Sequence, residues 1–247
     1  MSDIHSVEFG ETLDDAALIA ELVTDEPLLR MNFVSSVDGA ATHRGQSGGL
    51  SGEADKRLFQ LLRRVCDVVL VGAGTVRIEG YEAMRVSAES VRWRHAAGLP
   101  EHPVFAIVSG SLDLDPASKI FTDAPVRPIV ITTERAPAGE RARFDALADV
   151  IVCGQELVDV DAMLGELRRR GLAHILCEGG PTLFGTLLAA DAVDELCITI
   201  SARLESGPAR RIANGTLPDA RQLTLKRALA SGSTLLLRYG REKTEDR

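Results

Sequence analysis

The 247-residue chain has four cysteines, and no two of them form a C-x-x-C pair. Cys66, Cys153, Cys177 and Cys197 each lie in or beside a Val/Ile/Leu run. That is the setting of a small buried hydrophobe in a reducing compartment, not of a zinc or redox motif. The histidines (His5, His43, His95, His102 and His174) show no metal-ligand spacing, so no metal is expected. G-x-S-x-G, H-E-x-x-H and H-x-E with P-C-x-x-C are all missing, which removes the common hydrolase and zinc-deaminase signatures. No apolar run approaches the ~20 residues of a membrane helix. Residues 1–11 are polar and acidic, without a basic-then-apolar leader, so a cytoplasmic location is expected. Positive charge is also short. The formal net charge of -8 argues against a general nucleic-acid binder, yet it leaves room for a basic pocket suited to a phosphate ester.

What is present is ordinary globular material, 45% hydrophobic and 26% charged, in a chain long enough to bury a full core. Residues 13–22 read as a short helix with Thr12 as N-cap. Strands are expected at 28–36, 67–72, 104–109, 127–133, 149–153 and 174–177. Helices are expected at 53–64, 87–97, 138–147, 158–170 and 182–190. After Asp191 the rhythm changes to strands alone, at 195–201, 222–228 and 234–239. Strands alternating with helices predict a mostly parallel central sheet, and the last strands an antiparallel edge. With no linker, repeat or low-complexity tract, residues 26–247 read as a single domain, preceded by an extension over 1–25 that carries the short helix.

Ligands of open α/β sheets bind beyond the carboxyl ends of the strands. Four marked segments fall there: the glycine-rich loop 40–52, Gly72-Ala73-Gly74-Thr75, Ser109-Gly110, and Glu178-Gly179-Gly180-Pro181. The last lies between an apolar strand and an apolar helical pattern. Its glycines admit a close-approaching ligand, and Pro181 suits the first helical turn, whose free N–H groups favour an anion. Arg77 stands where a dinucleotide fingerprint would have its third glycine, so Gly72-x-Gly74 is a close-approach turn and not a full Rossmann motif. Two such turns at one sheet edge suit a molecule with separated phosphates. With no built-in nucleophile or metal, a bound cofactor should carry the reaction, and hydride transfer from a nicotinamide fits.

Taken in order, Ser36-Val37-Asp38-Gly39, Gly45-Gln46-Ser47, Val71-Gly72-Ala73-Gly74-Thr75-Val76, Glu178-Gly179-Gly180-Pro181-Thr182-Leu183 and Val193-Asp194-Glu195-Leu196 resemble the riboflavin-biosynthesis pyrimidine reductase family. This is the reductase domain often fused to a deaminase, with a three-layer fold similar to dihydrofolate reductase. The resemblance implies an NADPH-dependent reductase that carries hydride to C1 of a pyrimidine ribosyl phosphate. It also implies a homodimer, commonly formed through the late strands. By position it assigns Ser35, Gly74, Thr75, Glu79 (where the family usually has Asp) and the run Gly179, Gly180, Pro181, Thr182, Leu183 and Phe184 to the cofactor, the run extending to Thr186. Ser109, at a strand end, is a candidate for the cofactor's 2′-phosphate, as is the Thr132-Thr133 pair. Ser47, Arg63, Arg85 and Glu178 fall on substrate-contacting positions, and Glu178 is taken as catalytic.

The sequence departs from the family pattern on the substrate side. Ala40 follows S-x-D-G where Lys or Arg is common, Gly49 replaces a Trp, and the segment from Glu79 to Arg85 is degraded, with Arg85 one residue out of register. Asp55, in the first turn of the helix after the loop, is placed like the carboxylate that holds the pteridine of dihydrofolate reductases. It is therefore a second catalytic candidate. A pterin reductase and a catalytically silent nucleotide-binding homologue stay open as alternatives.

Overall fold

A computed structural model describes residues 3–7, 12–217 and 219–241. These form one ten-stranded sheet. Its strands are β1 (His5–Ser6), β2 (Leu28–Ser36), β3 (Val68–Gly72), β4 (Val104–Val108), β5 (Ile129–Thr132), β6 (Asp149–Val152), β7 (His174–Cys177), β8 (Glu195–Ser201), β9 (Leu223–Ser231) and β10 (Thr234–Arg241). The order is β1-β9-β10-β8-β2-β7-β3-β4-β5-β6. From β8 to β6 every neighbouring pair is parallel, whereas β10, β9 and β1 add on antiparallel. The expected parallel sheet with antiparallel late strands is the observed one. β2, β3 and β7 are almost continuously buried, as strands covered on both faces must be.

The helices are α1 (Asp15–Leu22), α2 (Glu53–Val65), α3 (Ala73–Glu79), α4 (Ala88–Ala96), α5 (Lys119–Thr122), α6 (Ala138–Ala142), α7 (Val160–Arg169) and α8 (Pro181–Ala189). They divide the core into two layers. One packs α1 and α2 on the sheet, through Leu18, Ile19, Leu58, Leu61 and Leu62 with Val69 and Ile107. The other packs α7 and α8, through Met163, Leu167, Leu183, Phe184 and Leu187 with Leu29, Met31 and Leu70.

The N-terminal segment is built into this core and does not stand apart from it. Ile4, Leu13, Leu18, Ile19 and Leu22 are buried there, and β1 extends the sheet beside β9. Thr12 is not the N-cap of α1. Asp14 accepts the Ala17 N–H at 2.8 Å, while the Thr12 hydroxyl sits 2.9 Å from His5 Nδ1. Both residues are good caps by type, and the tertiary contact to His5 decides between them.

Two buried arginines fix elements that carry the site. Arg94, on the polar helix α4, is fully buried and donates to the carbonyls of Pro100, Arg64 and Cys66 at 2.7, 3.0 and 2.6 Å. The last two close the carboxyl end of α2, where carbonyls lack helical partners. Arg30 pairs with Glu195 at 2.8 Å, and Asp194 accepts the Leu29 N–H at 2.8 Å. The Val193–Leu196 motif thus ties β8 to the amino end of β2, away from the sheet edge where ligands are expected.

Candidate active site

The carboxyl ends of β2, β3 and β7 open into a cavity of about 1250 Å³. Single-ligand pockets run to roughly 300–1,000 Å³, and this one is larger. One wall is the meeting of the two glycine turns. The Gly72 N–H donates to Gly179 O at 2.8 Å. Gly179 has φ +94°, and a Cβ there would come within 2.9 Å of the Phe33 ring. A Cβ on Gly180 would collide with the Thr75 hydroxyl. Gly180 is therefore required by the closeness of the two turns, and Gly179 by its positive φ and the Phe33 ring of β2, before any ligand is considered. Pro181 opens α8, and the N–H groups of Thr182 and Leu183 lie in its first turn without intrahelical acceptors. Thr75, Glu79, Gly180 and Pro181 line the cavity, so this wall offers donors and a positive dipole end to an anion.

The opposite wall is α2. Arg63 clasps Glu178 bidentately, Nε to Oε1 at 2.6 Å and Nη2 to Oε2 at 2.7 Å. The Tyr81 hydroxyl donates to the same Oε2 at 2.8 Å, and its ring stacks on Phe105. The Glu178 side chain is 1% exposed and that of Arg63 14%. Burial alone would push the Arg63 guanidinium down, but the charge and hydrogen bonds of Glu178 outweigh it and raise it. Burial and the Glu178 charge hold the Tyr81 hydroxyl far above its ordinary value. A carboxylate has about four lone-pair sites, and three are taken, leaving one on Oε1. Glu178 is therefore an acceptor and a fixed negative charge, and Arg63 is committed to it. Asp55, also buried at the cavity wall, is held only by the Ser51 hydroxyl among its described hydrogen bonds.

The glycine-rich loop closes the third side. Glu79 accepts the Ser47 N–H at 2.8 Å, and the Gln46 amide donates to Ile78 O at 3.1 Å. Glu79 thus pins the loop while it lines the cavity. Asp38 fastens the base of the loop. Hydrogen bonds from the Ser36 hydroxyl, then from the Ser206 and Glu205 N–H groups, lower its carboxyl to about 2. His43 Nδ1 lies 2.7 Å from Glu205 Oε2, so loops 37–46 and 203–210 form one wall.

The sequence-predicted residues divide accordingly. Ser47, Asp55, Arg63, Glu178, Thr75, Glu79, Gly180 and Pro181 converge on the cavity. Gly74 and Gly179 stand beside it. Arg85 does not reach it: Met84 takes the buried, cavity-facing place, and Arg85 turns outward to Asp123 Oδ1 at 2.8 Å. The Ser35 side chain is buried and bonded to Ser36 O, while Asn32, Phe33 and Val34 supply the β2 wall. Leu183 and Phe184 point into the core, Phe184 stacking on Phe33 at 5.1 Å, so only their backbone could meet a ligand. Thr182 is exposed outside the cavity lining. Ser109, Thr132 and Thr133 are buried with no described partner for their hydroxyls and lie off the cavity. Tyr81 joins the site although no motif singles it out; its signal in the sequence is an aromatic inside the degraded Glu79–Arg85 segment.

Gly74 gives a clean test of this wall. A Cβ there would meet nothing within 4 Å. Gly74→Ala should stabilise α3 by about 0.5–1 kcal/mol through helix propensity. It should also weaken a cofactor lying against that turn. Thermal denaturation and cofactor titration should move in opposite senses, and unchanged affinity would remove Gly74 from the site.

A single sheet covered by helices on both faces, with paired glycine turns at its carboxyl edge opposite a buried acid–arginine pair, fits the dihydrofolate-reductase-like class of fold. The chain belongs to the RibD C-terminal domain family, whose model matches residues 27–237. It is 30% identical over 219 residues to the 2,5-diamino-6-ribosylamino-4(3H)-pyrimidinone 5′-phosphate reductase of Methanothermobacter thermautotrophicus, covering 86% of this chain and 97% of the relative. The enzyme of the same name from Archaeoglobus fulgidus is 30% identical over 173 residues, covering 70% and 78%. A further relative, 25% identical over 175 residues and covering 70% of this chain and 45% of that one, is named riboflavin biosynthesis protein RibD, from Bacillus amyloliquefaciens. A pyrimidine reductase-like protein of Corynebacterium diphtheriae superposes with a TM-score of 0.84 at 25% identity, covering 94% of this chain and all of that one. The deaminase/reductase of Thermotoga maritima shares the fold, with a TM-score of 0.66 at 21% identity, covering 87% of this chain and 57% of that one. No described helix is long and apolar enough to cross a membrane.

Proposed function

We propose that the chain is an NADPH-dependent reductase of a ribosylaminopyrimidine 5′-phosphate, converting the ribosyl group to ribityl. The observation that carries this reading is the two-walled cavity. Glycine turns and a helix start fit a dinucleotide on one side, and a polar acid-lined wall suits a small substrate on the other. The nicotinamide supplies the hydride. The chain's own residues bind and orient. The Thr75 hydroxyl and the first turn of α8 serve the cofactor phosphates. The free acceptor site on Glu178 faces the ribosyl end, its charge favouring positive charge that develops there as the ring opens. The Asp55 carboxylate suits a ring edge with two adjacent donors, such as the 2-amino and N3–H groups in the name of the archaeal relatives' substrate.

Asp55 also favours a second reading, since a pterin presents a similar 2-amino edge. The decisive assay follows NADPH consumption with the ribosylaminopyrimidine phosphate and, separately, with dihydrofolate. Turnover of the first alone is expected. Turnover of dihydrofolate alone would replace the reading, and tight NADPH binding without turnover of either would make the chain a silent homologue. The family resemblance supports a cytoplasmic homodimer, checked by light scattering of the purified protein.

A further inference from the structure

A phosphorylated substrate needs cations, and the two arginines that sequence position assigns to it are otherwise engaged. Arg63 is locked on Glu178, and Arg85 faces away from the cavity. Three other cations line the same cavity: Arg44 on the glycine-rich loop, Lys56 on the first turn of α2, and Arg210 on the loop after β8. Among the described residues none of the three has an ion-pair partner, in a chain whose net charge is -8 and whose surface is otherwise rich in Arg–acid pairs.

We propose that Arg44, Lys56 and Arg210 form the phosphate grip of the cavity, holding the substrate's phosphate monoester at the mouth. This rests on the reductase reading above and names the group that reading leaves without a partner. The wall that carries two of these cations is preformed. Ala41 N–H donates to Arg210 O at 2.8 Å and Val37 N–H to Arg203 O at 3.0 Å, and the His43–Glu205 contact joins the same two loops. Arg44 has φ +51°, an uncommon conformation for a side chain of its size, held between these contacts and Gly45. All three cations are exposed. A dianion is costly to strip of water, so it belongs at a rim, with the ring inside against Asp55 and Glu178. The cofactor pyrophosphate already has the first turn of α8 and Thr75 on the other wall.

The probe is ribose 5-phosphate against ribose, titrated into the full chain with and without saturating NADPH, alongside kcat/KM for the phosphorylated substrate and its dephosphorylated nucleoside. The wild-type chain should prefer the phosphorylated sugar by tenfold or more, and salt should erode that preference. Arg44→Gln/Arg210→Gln, both at exposed positions, should fold normally. This variant should lower affinity for ribose 5-phosphate by about tenfold to a hundredfold, leave ribose unchanged, and flatten the salt dependence. Lys56→Gln should add to the loss. Arg85→Gln should change nothing. The proposal falls if the double variant keeps its preference for the phosphate, if Arg85→Gln removes it, or if the loss appears in NADPH affinity instead. That last result would assign the cations to the cofactor. Failure of the reductase reading is read separately: the wild-type chain would turn over no ribosylaminopyrimidine phosphate, while the sugar-phosphate titration would still test the grip.

Discussion

Glu178→Ala should cost the fold about 3–5 kcal/mol, the penalty for leaving a buried charge without its partner. The group left behind is the Arg63 guanidinium, which lies 4.2 Å above the Phe59 ring with its other described polar contacts on Glu178. For a domain of this size that is a drop of about 6–20 °C in Tm. The lower end is expected, because the cavity beside the pair lets water rehydrate the arginine. Catalysis should fail as well, since the acceptor proposed for the ribosyl end is gone. Arg63→Leu/Glu178→Leu separates the two effects. With both charges removed, much of the stability should return, while turnover stays lost. Glu178→Gln keeps one acceptor oxygen but loses the charge and sets its NH2 against an Arg63 N–H, so it should melt between Glu178→Ala and wild type and still be slow. Calorimetry on the four proteins, with NADPH consumption measured in parallel, checks the set. If Glu178→Ala melts within about 1 kcal/mol of wild type, the pair does not hold these walls together.

The strands were legible because their physics is local. Segments 28–36, 174–177 and 195–201 are apolar runs bounded by turn residues, and they match β2, β7 and β8 to the residue. β1 was not legible. It is two residues long, and its partner β9 lies more than 200 residues away. The two glycine turns could be placed at one edge from the strand–turn–helix rhythm, but their direct contact through Thr75 and Gly180 could not. The substrate wall shows the same limit. Arg63 and Glu178 could each be picked out as site residues, yet nothing local says that an arginine 115 positions away will clasp that acid. Arg85 shows how a shift of one residue matters in a short segment: Met84 gains the buried place and the charge goes to solvent.

Gly180→Ala should lower cofactor affinity by about tenfold to a hundredfold, the equivalent of one or two charge-assisted hydrogen bonds. The route is indirect. The new Cβ falls on the Thr75 hydroxyl, so either Thr75 rotates or α3 and α8 move apart, and both shift the donors proposed for the cofactor phosphates. A fall in Tm should accompany it, because the Gly72–Gly179 hydrogen bond joins the same two turns. Thr75→Ala/Gly180→Ala makes room for the Cβ by deleting the obstructing oxygen. If crowding alone is at work, this double variant regains both stability and affinity. If the Thr75 hydroxyl itself holds the cofactor, stability returns and affinity does not, which is the expected result. Fluorescence titration with NADPH and thermal denaturation of the single and double variants distinguish the outcomes. Wild-type affinity in Gly180→Ala would mean that the cofactor does not lie against these turns. The cavity's two walls would then have to be reassigned.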